Sequence, residues 1–322
     1  MGALPLVPGL LGAPLELNFA TGQYNGVSGS PGTFLTTVRA TPALAYASDA
    51  SGTFIGFAAN VPRITNQGLL VEESRINLFL NSQAPVTQTV TVANASVYTV
   101  SVYGTASVVL SNATNATVTQ GSPATFTTGS TSLICTVSGA GGPFQNVQVE
   151  LGSWATSPIV TAAASVNRAA DVVTMTSPPV FGTAYSIFGQ GIPQAPLAYG
   201  TAQSILECGI AASTRVLVRK DTGSGNASFR GVGGTGWAIT GISSWVVGTS
   251  GKIAGAATAN DQAGSFNAAI GTSVAAVLPT TPTGIFLGAD VNGSSLWNGY
   301  VQHAAIWPTT RITNAQLQAI TT

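Results

Sequence analysis

Residues 68–82 read GLLVEESRINLFLNS and place Glu72, Glu73 and Arg75 between two apolar runs. Charge is scarce elsewhere, because residues 76–149 contain no Asp, Glu, Lys or Arg at all. Charges gathered in this way need partners wherever the chain buries them. We interpret the stretch as the junction between an N-terminal region and two larger β-rich modules that follow it.

The composition is that of a globular chain with very few charges. Its 322 residues exceed what one hydrophobic core usually serves, so two or three packed units are expected. Charged residues make up 6% of the chain, where roughly a quarter is usual, and the formal net charge is zero. Because such a surface does little to keep copies apart, the composition favours permanent assembly as a homo-oligomer. A genome biased toward Ala, Gly and Thr is the alternative explanation.

Basic residues are too few and too scattered for nucleic acid to be a partner, since phosphate binding needs Lys and Arg on one face. The densest basic group is Arg215, Arg219 and Lys220, followed by Asp221 and Gly223. This spacing predicts the end of a strand at a turn. The two cysteines, Cys135 and Cys208, fall in different predicted domains, so they are predicted to be buried free thiols.

The N-terminus, MGALPLVPGLLGAPLEL, is apolar but interrupted by three prolines, and no basic residue precedes the apolar run. It therefore matches neither a secretory signal nor a membrane span, and no membrane insertion is expected. Prolines favour an extended backbone, so we predict a segment that lies in a groove of another protein. The alternative is a strand packed on its own domain. The predicted anchoring side chains are Leu4, Leu6, Val7, Leu10 and Leu11.

Period-two alternation of apolar and polar residues predicts strands through most of the chain. Residues 15–63 read as short strands with tight turns, and residues 86–157 alternate Val with Thr, Ser and Gln in runs typical of an antiparallel sandwich. One helix is predicted, Asn314 to Ile320, with Thr313 as its N-cap and Gln316 completing a capping box. The fold class is therefore all-β with a short C-terminal helix.

The charged side chains of residues 68–82 are predicted to be structural. Glu72, Glu73 and Arg75 are expected to form ion pairs that involve Arg39 or Arg63 and to fix one domain against the next. A catalytic acid pair is the alternative. Adjacent residues of a strand point to opposite faces, so two neighbouring glutamates do not flank one substrate bond.

Several of these segments resemble the N-terminal region of a family of tailed-bacteriophage virion proteins. They are VRA at 38–40, AY at 45–46, NVPR at 60–63 and GLLVEESRINL at 68–78. The chain departs from the family pattern at residues 36–38, where an aromatic followed by Thr is usual, and at Ile76, where Thr is usual. Residues 148–157, QVELGSWATS, resemble the strand that ends the jelly-roll, carbohydrate-binding-like domain of the same proteins.

The C-terminal part resembles the concanavalin A-like, laminin-G-like lectin domain of phage fibre and head proteins. The segments that carry this resemblance are KIAGA at 252–256, AND at 259–261, FLG at 286–288, NGYV at 298–301, AIWP at 305–308 and ITNAQLQAIT at 312–321. Together the two resemblances imply three parts: a virion-anchoring region (1–82), a jelly-roll domain (83–168) and a concanavalin A-like domain (169–322).

The resemblance also implies a function. It implies a structural virion protein, a decoration or fibre component, assembled in the host cytoplasm and displayed on the particle surface. The implied partners are other capsid or tail proteins and further copies of the chain, as a homotrimer. The alternative is an adhesin that binds a bacterial surface polysaccharide through its terminal domain.

A glycan site in that domain needs aromatic faces for stacking and a few amide or carboxylate groups for hydroxyls. The residues that fit this description are Trp237, Trp245, Asn292, Trp297 and Tyr300. The alternative is that these aromatic rings are core. Exposed tryptophans favour the adhesin, and buried ones favour the structural role.

Enzymatic chemistry is not expected. No strand carries the alternating carboxylates of a glucanase, and His303 has no G-x-S-x-G partner for a serine triad. Residues 231–236 match G-x-G-x-x-G, but no helix follows them, so they are predicted to be a glycine-rich hairpin. Asp290 and Asn292 are too few to ligate calcium, and zinc ligands are lacking. The sequence therefore predicts no catalytic residues, no metal and no cofactor.

Overall fold

The computed structural model describes residues 10, 12–139, 141, 144–196, 200–233, 236–273 and 282–322. The first elements are β1 (Leu15–Asn18), β2 (Gln23–Asn25), α1 (Pro31–Phe34), β3 (Leu35–Val38), β4 (Leu44–Ser48), β5 (Phe54–Ala58), β6 (Arg63–Thr65), β7 (Gly68–Val71) and β8 (Arg75–Asn77). They are followed by β9 (Gln88–Thr91), β10 (Val97–Tyr103), β11 (Ser107–Asn112), β12 (Ala116–Val118), β13 (Ala124–Thr127), β14 (Ser132–Ser138), β15 (Asn146–Leu151), β16 (Val166–Arg168) and β17 (Val172–Met175).

The remaining elements belong to the C-terminal part of the chain. They are β18 (Tyr185–Pro193), β19 (Gln203–Ala211), β20 (Thr214–Lys220), β21 (Ala227–Val232), β22 (Trp237–Ile239), β23 (Gly251–Thr258), β24 (Asp261–Phe266), β25 (Ala269–Ser273), β26 (Gly284–Leu287), β27 (Gly299–Trp307) and α2 (Asn314–Thr321).

The chain divides into two compact units. Unit 1 comprises Met1–Thr37, Ile64–Val71 and Val172–Thr322, and unit 2 comprises Val38–Arg63 and Glu72–Asp171. The predicted jelly-roll range, 83–168, lies wholly in unit 2, whereas the predicted first domain, 1–82, is divided between both units. The reason is long-range pairing, because β1 and β7 both pair antiparallel with β27 near the end of the chain. Local sequence patterns carry no signal for such pairings.

Unit 2 is a β-sandwich. Its three-stranded sheet, ordered β13-β10-β15, and its four-stranded sheet, ordered β12-β11-β14-β9, contribute to one apolar core. Alternation along β11 shows how the sequence builds it, since Val108 and Leu110 are buried while Val109 is exposed. Two shorter ladders, β4-β5 and β8-β16, complete the unit.

Unit 1 contains two larger sheets. One has the order β2-β1-β27-β18-β23-β24-β25, with β7 also paired to β27 and to β6, and the other has the order β22-β21-β20-β19-β26-β17-β3. The sheets approach closely where β23 carries Gly255, because a Cβ there would lie 2.2 Å from Phe229 Cδ2 on β21. Any side chain at Gly255 would have to displace the Phe229 ring.

Several predictions from the sequence are confirmed. The described residues form antiparallel sheets consistent with jelly-roll sandwiches, and helix α2 carries the predicted capping box between Thr313 and Gln316. Strands β21 and β22, which flank the glycine-rich segment, pair antiparallel as a hairpin requires, with Gly231 paired to Trp237. Both cysteines are buried free thiols. The one-turn helix α1 was not predicted.

Candidate functional site

Four of the five residues predicted to bind carbohydrate lie in the core of unit 1. Trp237 is 6% exposed, Trp245 and Tyr300 are each 1% exposed, and Trp297 is fully buried. The prediction that these four rings form a stacking surface for a sugar is therefore wrong, and their burial favours the structural role over an adhesin that binds through its tryptophans. Asn292 is exposed, so its role in ligand binding stays a prediction.

These rings are held by contacts typical of a core. Trp245 packs edge-on against Trp297, with 4.8 Å between ring centroids, and also against Phe266 at 4.5 Å. The indole N–H of Trp297 donates to the Tyr300 carbonyl at 3.1 Å, and Trp237 packs edge-on against Phe229. A sugar could not stack on these faces without opening the sandwich.

The predicted anchor is described at one position only. Leu10 is 8% exposed and packs in the core of unit 1 with Trp307 and Leu317. Leu10 is thus not free to enter a groove of another protein, and its environment is that of the alternative, a segment packed on its own domain. Leu4, Leu6, Val7 and Leu11 lie outside the described residues.

The turn after β26 is organised by Asp290. Its Oδ1 accepts hydrogen bonds from the Asn292 amide at 3.1 Å and from the Ser294 amide at 2.7 Å, and its Oδ2 lies 3.4 Å from Arg215. Burial acts to raise the pKa of Asp290, but the hydrogen bonds from Ser294 and Asn292 lower it overall. The Ser294 hydroxyl also donates to Oδ2 at 2.8 Å, so both carboxylate oxygens hold the turn. Within the described ranges no group of three or more His, Cys, Asp or Glu could hold a metal ion.

Unit 2 buries a cluster of five charged side chains. Glu72 Oε2 lies 2.9 Å from Arg63 Nη1 and 3.1 Å from Arg168 Nη1. Asp171 Oδ1 lies 3.0 Å from Arg39 Nη1, and its Oδ2 also pairs with Arg63. All five side chains are at most 1% exposed. The prediction that Glu72 pairs with Arg63 is confirmed.

The electrostatics of this buried ionic cluster keep it charged. Burial acts to raise the pKa of Glu72, but Arg168 and Arg63 outweigh it and lower that pKa to about 2. Burial likewise acts to lower the pKa of Arg63, and the neighbouring carboxylates raise it overall. The ion pairs join sequence-distant segments of unit 2. Removing one partner would leave another charge buried without compensation.

The remaining two predicted structural residues form a separate pair in unit 2. Arg75 Nη2 pairs with Glu73 Oε1, and the Arg75 guanidinium lies 5.7 Å from the centroid of the Trp154 ring. Trp154 is 5% exposed, so it is a buried ring beneath a cation rather than a platform for a sugar.

A polar cleft of about 380 Å³ lies on unit 1 beside the hairpin of β20 and β21. It combines two arginines and one carboxylate with hydroxyl and amide groups. We name it the arginine cleft, and its lining residues are Arg219, Asp221, Thr222, Ser224, Asn226, Arg230, Thr240 and Gly241.

Strand register brings the two arginines together. In the antiparallel ladder of β20 and β21, Arg219 pairs with Ser228 and Leu217 pairs with Arg230. Directly paired residues share a face, and alternation along β20 puts Leu217 and Arg219 on that same face. Val218, on the opposite face, is fully buried. Two arginines eleven positions apart in sequence therefore line the same cleft.

One carboxylate oxygen orients both guanidinium groups. Asp221 Oδ1 accepts hydrogen bonds from Arg219 Nε at 3.0 Å and from Arg230 Nη2 at 2.9 Å. The Ser228 hydroxyl donates to the same oxygen at 2.9 Å. Since Arg219 and Arg230 share this acceptor, their free N–H groups are held close together at the wall of the cleft.

The charge of the cleft is not balanced. Burial lowers the pKa of Arg219, and the nearby charge of Arg230 acts in the same direction, while Asp221 opposes both. Arginine nonetheless remains protonated in proteins, so two positive charges face one negative charge. Within the described part of the chain, Arg219 Nη1 and Nη2 and Arg230 Nη1 donate to no protein acceptor, and the two side chains are 18% and 28% exposed.

The segment between β22 and β23 is hydrogen-bonded to the β20–β21 turn. The Ser244 hydroxyl donates to Asn226 Oδ1 at 2.6 Å, and the Trp245 amide donates to the Gly225 carbonyl at 3.0 Å. Trp245 is also held in the core, and Thr240 and Gly241 of the same segment line the cleft. The cleft therefore has walls fixed by hydrogen bonds, with exposed hydroxyls from Thr222 and Thr240 at its rim.

Sequence reasoning missed this site. It singled out Arg215, Arg219 and Lys220 as a basic group at a strand end, and the turn that follows β20 confirms that placement. Lys220, however, is fully buried on the other face, where its Nζ donates to the Pro196 carbonyl at 2.9 Å. The cleft depends on strand register, because Arg230 pairs with Leu217, two positions from Arg219 on the same face, and no local sequence pattern signals that pairing.

Comparisons with known proteins do not assign a family. No protein-family model matches the chain, and no curated protein does. Among solved structures, the CBM40 of the Ruminococcus gnavus IT-sialidase bound to α2,3-sialyllactose aligns at 11% identity and a TM-score of 0.38 over 47% of this chain and 96% of its own.

Two further structures are similar to the same degree. Domain 4 of AbnA, an extracellular GH43 arabinanase from Geobacillus stearothermophilus in complex with arabinotriose, aligns at 11% identity and a TM-score of 0.38 over 53% of this chain and 81% of its own. The heptameric SAP-like pentraxin from Limulus polyphemus aligns at 10% identity and a TM-score of 0.35 over 46% and 74%. Similarities this low assign neither a family nor a ligand.

Among the described residues, no helix has the length and apolar character to cross a membrane.

Proposed function

We propose that this chain binds glycans through the arginine cleft and performs no chemistry on them. The single observation that supports this is the cleft itself, which places charged donors, hydroxyls and an amide side chain around one space of about 380 Å³. A sugar presents many hydroxyl groups that both donate and accept, so its recognition needs convergent polar groups on fixed walls.

The lining favours binding over catalysis. Its one carboxylate, Asp221, already accepts three hydrogen bonds on Oδ1, including two from arginines. Retaining or inverting glycoside hydrolysis needs a second carboxyl group beside the first. The lining residues include no second one.

A glycan binding screen with the full chain tests this proposal. Thr222 is exposed at the rim, so Thr222→Trp fills the cleft without touching the core. Ser213→Trp is the matched control, because Ser213 is exposed in the turn at the opposite end of β20. We expect saturable binding of at least one glycan, weakened about ten-fold or more by Thr222→Trp and unchanged by Ser213→Trp. Absence of binding, or equal binding by both variants, contradicts the proposal.

A second function, structural assembly into a phage virion, is proposed on different grounds. All eight arginines occupy ion pairs within the chain, which leaves a surface with very little net charge to repel neighbours. Unit 2 also exposes large apolar side chains, namely Val38, Leu44, Ile55, Val61, Ile76, Val86, Val97, Val109 and Leu151. Such a surface favours contact with further copies or with other capsid or tail proteins, as the resemblance to virion proteins implies.

Sedimentation velocity over a wide concentration range tests the assembly proposal. A homo-oligomer, a trimer under the resemblance, is the expected species. Replacement of Val38 and Leu44 by Ser should shift the distribution toward monomer, because both side chains are about half exposed and contribute nothing to the described core. A chain that stays monomeric and soluble at high concentration would contradict assembly as its function.

A further inference from the structure

We propose that the glycan bound in the arginine cleft carries an oxyanion, a uronic-acid carboxylate or a sulfate ester, held between Arg219 and Arg230. This inference rests on the proposed glycan-binding function and names the ligand class. It starts from the uncompensated positive charge of the lining, two guanidinium groups against the single carboxylate of Asp221.

The arrangement of donors fits an anion. Asp221 Oδ1 accepts hydrogen bonds from Arg219 Nε and Arg230 Nη2. Among the described residues, both Nη atoms of Arg219 and Nη1 of Arg230 donate to no protein acceptor and so can donate to a ligand. Guanidinium groups bind both carboxylates and tetrahedral oxyanions through pairs of parallel N–H donors, and such charge-assisted hydrogen bonds are shorter and stronger than neutral ones. Because Asp221 fixes the groups in advance, little side-chain freedom remains to be lost on binding.

The same charges disfavour other ligand classes. A metal cation would face two arginines, and Asp221 already accepts three hydrogen bonds. A nucleic acid needs a row of cations along its backbone, whereas the cleft lining contains two. Hydroxyls from Thr222, Ser224 and Thr240 together with the Asn226 side chain suit the neutral remainder of a sugar instead.

The test compares ligands that differ only in charge. Isothermal titration calorimetry of the full chain would use oligogalacturonate against its methyl ester, and a sulfated galactan oligosaccharide that contains no uronic acid against its desulfated form, with free sulfate as a competitor. The variants are Arg230→Gln, Arg230→Lys and Arg219→Gln. Arg311→Gln is the matched control, since it removes the same charge from an ion pair with Asp261 elsewhere in unit 1.

We expect the charged form of one pair to bind and its neutral form to bind about ten-fold or more weakly. Arg230→Gln and Arg219→Gln should remove that preference, Arg230→Lys should keep part of it, and Arg311→Gln should leave it unchanged. The pair that discriminates identifies the carboxylate or the sulfate as the source of the oxyanion.

Other outcomes separate this inference from the proposed function. Equal binding of charged and neutral forms, blocked by Thr222→Trp, overturns the inference and leaves glycan binding in the cleft intact. A preference for the charged form that survives both arginine-to-glutamine variants places the anion outside the cleft and overturns the inference as well. Absence of binding to every ligand overturns both. The comparison of ligands on the unmodified chain needs no variant to fold.

Discussion

Unit 1 and unit 2 each contain carboxylates that bridge two or more arginines, but the two groups differ strongly in solvent exposure. In unit 2, Glu72 and Asp171 bridge Arg39, Arg63 and Arg168, and all five side chains are at most 1% exposed. In unit 1, Asp221 bridges Arg219 and Arg230, and these side chains are 12–28% exposed beside a cleft. The residue types are the same in both groups, while access of solvent and of ligands differs.

The difference shows what decides whether such a group stabilises a fold or binds a ligand. The buried arginines direct N–H groups at carbonyls of their own unit, as Arg39 does toward Val61 and Ala58. The arginines of the cleft keep donors that, among the described residues, reach no protein acceptor. Buried charges that lose a partner are costly, whereas exposed ones are satisfied by water and can exchange it for a ligand.

The largest expected effect comes from breaking the buried ionic cluster. Glu72→Gln removes the carboxylate between Arg63 and Arg168 and leaves two buried cations near each other, which should cost about 3–5 kcal/mol of unfolding free energy. Urea unfolding followed by circular dichroism measures this, and hydrogen exchange of the amides of β10 and β15 reports on unit 2 separately.

The neighbouring residue provides the control. Glu73→Gln is the same chemical change one position along, at a side chain that is 18% exposed and pairs with Arg75 outside the buried ionic cluster. Its effect should be clearly smaller than that of Glu72→Gln. If the two variants lose equal stability, burial of the ion pairs is not the reason that Glu72 stabilises unit 2.

Stability measured over a range of pH should show the role of the buried Glu72 in a second way, with a somewhat smaller effect. The pKa of Glu72 is lowered from its ordinary value of 4.5 to about 2, so its contribution is fully present above about pH 4.5 and is lost as pH falls toward 2. The stability difference between the unmodified chain and Glu72→Gln should therefore shrink over that window, by up to about 3 kcal/mol.

At each pH, the unfolding free energy of Glu72→Gln must be subtracted from that of the unmodified chain. Burial raises the pKa of Glu150, also in unit 2, and a carboxyl with a raised pKa contributes with the opposite sign as pH falls. Both proteins carry Glu150, so its contribution cancels in the difference. A difference that stays constant from pH 6 to pH 2.5 would mean that Glu72 does not titrate with a lowered pKa.

The sequence predicted the buried ionic cluster better than the cleft for a physical reason. Charges are so few around residues 68–82 that Glu72 had few possible partners, and Arg63 was one of them. The tryptophans were misplaced because aromatic residues have the same local pattern in a core and on a concave surface. The cleft depends on the register between β20 and β21, which brings Arg230 opposite Leu217, and no local periodicity encodes that register.

The smallest expected effect on stability is at the arginine cleft. Arg230 is 28% exposed and pairs with Asp221 near solvent, so Arg230→Gln should change the free energy of unfolding by less than about 1 kcal/mol. The same substitution should lower affinity for an acidic glycan about ten-fold, because a ligand oxyanion would lose a charge-assisted donor. Thermal unfolding and calorimetry on one preparation measure both quantities, with Arg311→Gln as the control for loss of one arginine from an ion pair elsewhere in unit 1. If Arg230→Gln instead destabilises unit 1 as strongly as Glu72→Gln is expected to destabilise unit 2, the cleft arginines are structural, and the contrast between the two groups disappears.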